Sequence, residues 1–191
     1  MLPNITNKRF VTFGLQGSGK TELNKQLLRT IKPSLVYDIH HEYTGGFNRY
    51  LAAFKQVHRN RPDDPAINEL NWCVEKVVLQ PGRVRLFVLD EANRFCPNHY
   101  PLPSSILTLN DDQRHDKIAF GSIARRPAQL NTDLTELAHY LFIFRLTGRN
   151  DYTTLEDIAS GMGDMVRELK DYEFVIVSPN RTFEKHPPLK I

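Results

Sequence analysis

The segment Gly14-Leu15-Gln16-Gly17-Ser18-Gly19-Lys20-Thr21 has the spacing G-x-x-x-x-G-K-[ST], which is that of a phosphate cradle. Gly14, Gly17 and Gly19 permit backbone angles that turn successive N–H groups inward around a β-phosphate. Gln16 and Ser18 lie on the same loop. A helix starting at the end of such a loop points its positive end at the anion. Lys20 reaches the β- and γ-phosphates as a point charge, and the Thr21 hydroxyl is a ligand for Mg²⁺. A chain of this length matches the pattern by chance roughly once in a hundred times at average composition. Here the match also follows a β-rich run, residues 10–13, and precedes a helical pattern. The expected cofactors are ATP and Mg²⁺.

Arg85-Leu86-Phe87-Val88-Leu89-Asp90-Glu91 supplies the other half of such a site. An apolar strand with an acid at its C-terminal end puts that acid where α/β sheets hold ligands. Asp90 is expected to hold Mg²⁺ largely through water, because that ion keeps much of its hydration shell. Glu91 can polarise a water for in-line attack on the γ-phosphate. An Asp-Glu pair after a strand also serves as a helix N-cap, but the cradle upstream favours chemistry. The candidate catalytic residues are Lys20 and Glu91. The nucleotide contacts are Gly14, Gln16, Gly17, Ser18, Gly19, Lys20 and Thr21, and the metal ligands are Thr21 and Asp90.

The elements that must position these residues alternate along the chain. Residues 10–13, 35–39, 84–89, 118–123, 140–146 and 174–177 read as strands. Residues 21–30, 47–57, 103–113, 134–139 and 152–159 read as helices, and 67–78 as a helix running into an extended stretch. Several strands are apolar on both faces, which implies an α/β fold with a mainly parallel sheet flanked by helices. The strand at 35–39 lies between the two motifs, as expected of ATPases that carry the extra Glu. Pro187 and Pro188 exclude a long C-terminal helix, so 181–191 is expected to be a tail on one domain spanning 1–191.

Composition narrows the classes. The 191 residues carry a net charge of +3, with 40% hydrophobic and 25% charged residues, an ordinary globular balance. No apolar run approaches the ~20 residues of a membrane span, and residues 1–10 lack a signal-peptide core, so a cytoplasmic location is expected. Cys73 and Cys96 make no zinc pattern and read as small buried hydrophobes. His40-His41-Glu42 reads as a polar loop near the site, since adjacent side chains on an extended segment diverge. Trp72 and the phenylalanines read as core.

Residues 114–127 (RHDKIAFGSIARRP), followed by the strand at 140–146 and Asp151, resemble the FtsK–HerA superfamily of DNA-pumping ATPases. The likeness runs over roughly residues 8–180. The short length without flanking domains resembles, within it, the genome-packaging ATPases of membrane-containing icosahedral viruses. The resemblance implies a RecA-like P-loop NTPase of the additional-strand, catalytic-Glu type. It also implies ATP hydrolysis coupled to translocation of double-stranded DNA through a homo-oligomeric ring, a hexamer, with active sites between subunits. Arg114 matches an arginine finger given to the neighbour's nucleotide, a device worth ~10³-fold or more in rate; a helix C-terminal cap explains it equally well. Arg125 stands where the family commonly has a polar sensor, usually Gln. It could bond a γ-phosphate or act across a subunit boundary.

Loops at 58–61 and 93–99 are the candidates to grip DNA phosphates without reading sequence. Capsid or virion membrane vertex proteins are the expected further partners, in a host cytoplasm or on the virion. Two other functions share the cradle. A small nucleotide or nucleoside kinase would need an acceptor pocket and an arginine-rich lid, and Asp90-Glu91 weighs against it. A nucleotide-gated assembly or switch ATPase would bind partners without DNA-stimulated turnover.

Overall fold

The strand that delivers the cradle, β1 (Arg9–Phe13), ends at Gly14 and lies inside an eight-stranded sheet. In this computed structural model residues 2–58 and 63–189 are described, 112–116 by backbone alone. The other strands are β2 (Ser34–Asp38), β3 (Arg49–Leu51), β4 (Leu86–Leu89), β5 (Ala119–Ala124), β6 (Tyr140–Phe144), β7 (Phe174–Val177) and β8 (Phe183–His186). Their order is β3-β2-β4-β5-β1-β6-β7-β8. Every pair from β3 to β6 is parallel, and β7 and β8 add antiparallel. The parallel strands therefore deliver their C-terminal ends to one edge, the edge where such sheets bind ligands.

Side-chain alternation splits the core in two. Phe10, Leu86, Val88, Phe142 and Phe144 pack with Leu23, Leu27 and Leu28 of α1 (Lys20–Thr30). Val11, Phe13, Phe87, Leu89, Leu141 and Ile143 face the opposite way. There they meet α2 (Pro65–Cys73), α3 (Ala92–Phe95), α4 (Ser104–Asp116), α5 (Thr132–Glu136), α6 (Arg149–Ile158) and α7 (Met162–Arg167). Among the described residues, one face thus rests on α1 alone of the helices. Asn24 fixes its placement, donating from a buried amide to Thr12 Oγ1 in β1 at 3.2 Å and to Lys20 O at 2.8 Å.

Several expectations need correction. The strand between β1 and β4 in the sheet is β5, not the strand at 35–39, which as β2 pairs on the outer side of β4. Residues 47–57 form no helix; they give β3 and irregular chain. The N–H groups of Ala53 and Phe54 donate to the Glu69 carboxylate, both at 2.9 Å, instead of to helical carbonyls. Residues 67–78 stay helical throughout, α2 continuing into a π-helical turn over Val74–Val78. Within 181–191, expected as a tail, β8 pairs with β7 and Lys185 reaches Glu173 at 2.7 Å. Trp72 is not core: it is 52% exposed and leans on Tyr50. Cys73 and Cys96 are buried, as expected.

Candidate nucleotide-binding site

The loop after β1 turns back on itself before α1, and two of its glycines, Gly14 and Gly19, are required by contact as well as by angle. Gly14 has φ 157°, and a Cβ there would stand 2.6 Å from Ser18 Oγ and 2.7 Å from Phe144 Cβ. Gly19 caps α1 at φ 106°, a left-handed conformation that suits glycine. Ser18 Oγ is buried with no hydrogen-bond partner among the described residues. Lys20 Nζ donates to Leu15 O at 2.8 Å, folding its ammonium over the loop. Burial draws the Lys20 pKa below its ordinary value, while Glu91 and Asp90 pull it back up. This is a cation held ready for an anion.

The strand next to β4 contributes more than the sequence indicated. Asp38, at the end of β2, is fully buried and accepts from the N–H groups of Glu42 (3.0 Å) and Tyr43 (3.1 Å). That turn swings Glu42 onto the cradle, where the Thr21 hydroxyl donates to Glu42 Oε2 at 2.9 Å. Asp90, at the end of β4, is 7% exposed and accepts from the Glu91 N–H at 2.9 Å. Burial first, and then the neighbouring Glu91 carboxylate, push the Asp90 carboxyl up to about 7. That carboxyl is crowded by Glu91, Glu42 and Asp38, with the Lys20 ammonium on the cradle side. Hydroxyl and carboxylate oxygens are also the hard donors a cation such as Mg²⁺ prefers, so Thr21 and Asp90 fit that ion.

Glu91 itself is held from both sides. Its backbone is left-handed (φ 50°, ψ 40°), unusual for a residue with a side chain. Arg125 Nε, at the end of β5, lies 3.1 Å from Glu91 Oε1. Arg94 Nε, from α3, lies 3.4 Å from Oε2, and its other nitrogens reach Lys55 O (3.1 Å) and His40 Nε2 (3.3 Å). Gln16, Lys20, His40, Glu42, Glu91 and Arg125 line one cavity of about 230 Å³. A larger cavity, about 460 Å³, is lined by Ala128, Thr135, Asp157 and Arg181 among others and includes no cradle residue.

The sequence-derived residues Gly14 to Thr21, Asp90, Glu91 and Arg125 thus meet at one sheet edge. Arg114 falls in α4, but its side chain lies outside the described residues, as do Arg59, Asn60 and Arg61 of the loop at 58–61. In the loop at 93–99, Phe95, Cys96 and Pro97 are buried and Arg94 turns to Glu91, so only His99 is exposed. Glu42, His40 and Arg94 were not among the candidate site residues. The signal for Glu42 was its place just past a strand end, at the same edge as the cradle.

Sheet order and cradle together define the class: a P-loop NTPase fold with β5 inserted between the cradle strand and the acidic strand. No family model and no curated protein sequence matches the chain. Among solved structures it is similar to the genome packaging NTPase B204 from Sulfolobus turreted icosahedral virus 2 in complex with AMPPCP. That likeness has a TM-score of 0.79 at 18% identity and covers 98% of this chain and 100% of that one. The conjugation coupling protein TcpA of pCW3 with ATPγS is similar at TM-score 0.60 and 14% identity, over 95% of this chain and 60% of that one. The N-terminal domain of zonular occludens toxin from Neisseria meningitidis follows at TM-score 0.56 and 12% identity, over 96% and 95%. The expected resemblance to the packaging ATPases of icosahedral viruses is borne out at the level of fold. Among the described residues no helix is long and apolar enough to cross a membrane.

Proposed function

We propose that the protein hydrolyses ATP and couples hydrolysis to translocation of double-stranded DNA, as the packaging motor that fills a viral capsid in the host cytoplasm. The observation that carries the reading is the meeting of Lys20, Glu91 and Arg125 around one cavity at the end of the cradle. A fold likeness that spans both chains end to end, to a genome packaging NTPase, supports the motor role.

In this reading the N–H groups of residues 14–21 hold the β-phosphate and Lys20 moves from Leu15 O to the γ-phosphate. Thr21 and Asp90 would hold Mg²⁺, which would supply positive charge against the phosphate oxygens. Glu91 takes a proton from the attacking water as its oxygen bonds to the γ-phosphorus and the bond to the bridging oxygen of ADP breaks. For that, one Glu91 oxygen has to leave its arginine. Arg125, which lines the same cavity as Lys20 and Glu91, exchanges Glu91 for the γ-phosphate in this reading, and Arg114 serves a neighbour's nucleotide in a hexameric ring around DNA.

The test is steady-state phosphate release with and without long double-stranded DNA, for wild type and Glu91→Gln. The expected result is DNA stimulation and a loss of about 10²-fold or more in Glu91→Gln. Full activity in Glu91→Gln would remove Glu91 from the chemistry. Turnover indifferent to DNA in an assembled ring would refute the motor.

A further inference from the structure

Beyond the phosphates, the α1 side of the sheet holds a second, apolar hollow that the cradle opens into. Gly19 abuts two rings: a Cβ at Gly19 would stand 3.1 Å from Phe144 Cε1 and 3.5 Å from Tyr172 Cδ1. These two rings, with Glu22, Pro188 and Leu189, enclose a cavity of about 150 Å³. Tyr172 is 56% exposed and sits against the half-buried Gly19, and it also borders a cavity lined by Leu15, Gly17 and Ser18. Its backbone is left-handed (φ 65°), so the tight turn ahead of β7 presents the ring outward.

The wall opposite Tyr172 comes from the far end of the chain. β8 pairs Phe174 with His186, whose rings stack at 5.4 Å. Lys185 pairs with Glu173 at 2.7 Å. That pinned strand returns Pro188 and Leu189 to the mouth of α1. Among the described residues, the polar side chains that line the hollow are Glu22 and Tyr172. Glu22 is already paired with Lys25 at 2.8 Å.

Lys20, Glu91 and Arg125 fix the γ-phosphate end on the β4 side of the cradle, so the opposite end of a nucleotide leaves past Gly19 toward β6 and β7. We infer that Tyr172, Phe144, Pro188 and Leu189 form a stacking subsite for the nucleobase, which takes purine nucleoside triphosphates without reading their edges. This rests on the cradle binding a nucleoside triphosphate. A ring stacked between Tyr172 and Pro188 gains from its flat face, which every base has. Discrimination between adenine and guanine requires donors and acceptors aimed at the ring edge; among the described residues the hollow's polar side chains are the Glu22 carboxylate, engaged by Lys25, and the hydroxyl of the stacking Tyr172 itself.

The experiment is equilibrium binding of ATP, GTP and inorganic tripolyphosphate, the last carrying no base, to wild type, Tyr172→Ala, Tyr172→Phe and Lys20→Ala. ATP and GTP are expected to bind wild type within about threefold of each other. Tyr172→Ala is expected to weaken both about tenfold, leave tripolyphosphate unchanged, and be rescued by Tyr172→Phe. An equal loss for tripolyphosphate, or no loss for ATP, overturns the subsite. GTP binding ten times weaker than ATP in wild type overturns the tolerance. Lys20→Ala separates the two levels: it weakens all three ligands if the cradle holds phosphate, and indifference to it refutes the cradle itself.

Discussion

Replacing Arg94 with Met tests whether Glu91, the proposed base, is restrained by its arginines. The substitution keeps the long apolar stem and removes the guanidinium that meets Glu91 Oε2 at 3.4 Å. Both partners retain some exposure, 31% for Arg94 and 13% for Glu91. Ion pairs of that kind contribute about 0.2–1 kcal/mol. At 1.4 kcal/mol per tenfold, removing one shifts the population with a freed Glu91 oxygen by up to about fivefold. DNA-independent turnover at saturating ATP is therefore expected to rise about two- to fivefold, with the KM for ATP unchanged. The double variant Arg94→Met/Glu91→Gln is expected to be as slow as Glu91→Gln alone. A tenfold fall in kcat would mean that Arg94 assists the reaction, and a rise that survives in the double variant would mean that the effect bypasses Glu91.

Gly121→Ala would put a Cβ 2.2 Å from Cζ of Phe10, its partner across β1 and β5. Urea unfolding should show a loss of about 1–3 kcal/mol, and Gly121→Ala/Phe10→Leu should lose less than the sum of its parts. Arg126→Met strips the buried Asp151 of its 2.8 Å partner, and unfolding should report a cost of about 3 kcal/mol, since an unpaired buried charge remains. Burial pushes the Cys73 thiol up to about 12 and the Cys96 thiol up as well, so the reactive thiolate is scarce at pH 8. A disulfide reagent at that pH should label no thiol in the native protein and both after denaturation.

The fold was legible where apolar runs were long and uninterrupted. β1, β4, β5, β6 and β7 are buried on both faces apart from the half-buried Arg9 and Tyr140 at strand starts, and apolar residues predominate in each. The edges were not legible. β3 is three residues long and alternates exposed and half-buried positions, and its Tyr50 is kept in place by stacking on Tyr37 at 5.3 Å. β8 carries Glu184, Lys185 and His186, a polar string that becomes a strand through its ladder to β7. Local preference is weakest where one neighbour supplies most of the stabilisation, and that is the situation of an edge strand.

Within the candidate site, spacing picked out the groups proposed to act through the backbone, and topology was needed for the rest. Gly14 to Thr21 are contiguous because a loop and a helix start must share one anion. Glu42, Glu91 and Arg125 come together only because β2, β4 and β5 are neighbours in the sheet, an order the chain does not write in sequence. The same order explains the arginine at 125. β5 lies directly between the cradle strand and the acidic strand, so a side chain at its end can face Lys20, Glu91 or a γ-phosphate. A Gln there would bond phosphate without opposing Glu91. An Arg also pairs with the Glu91 carboxylate at 3.1 Å, which in the proposed mechanism would tie release of the base to the arrival of a competing anion.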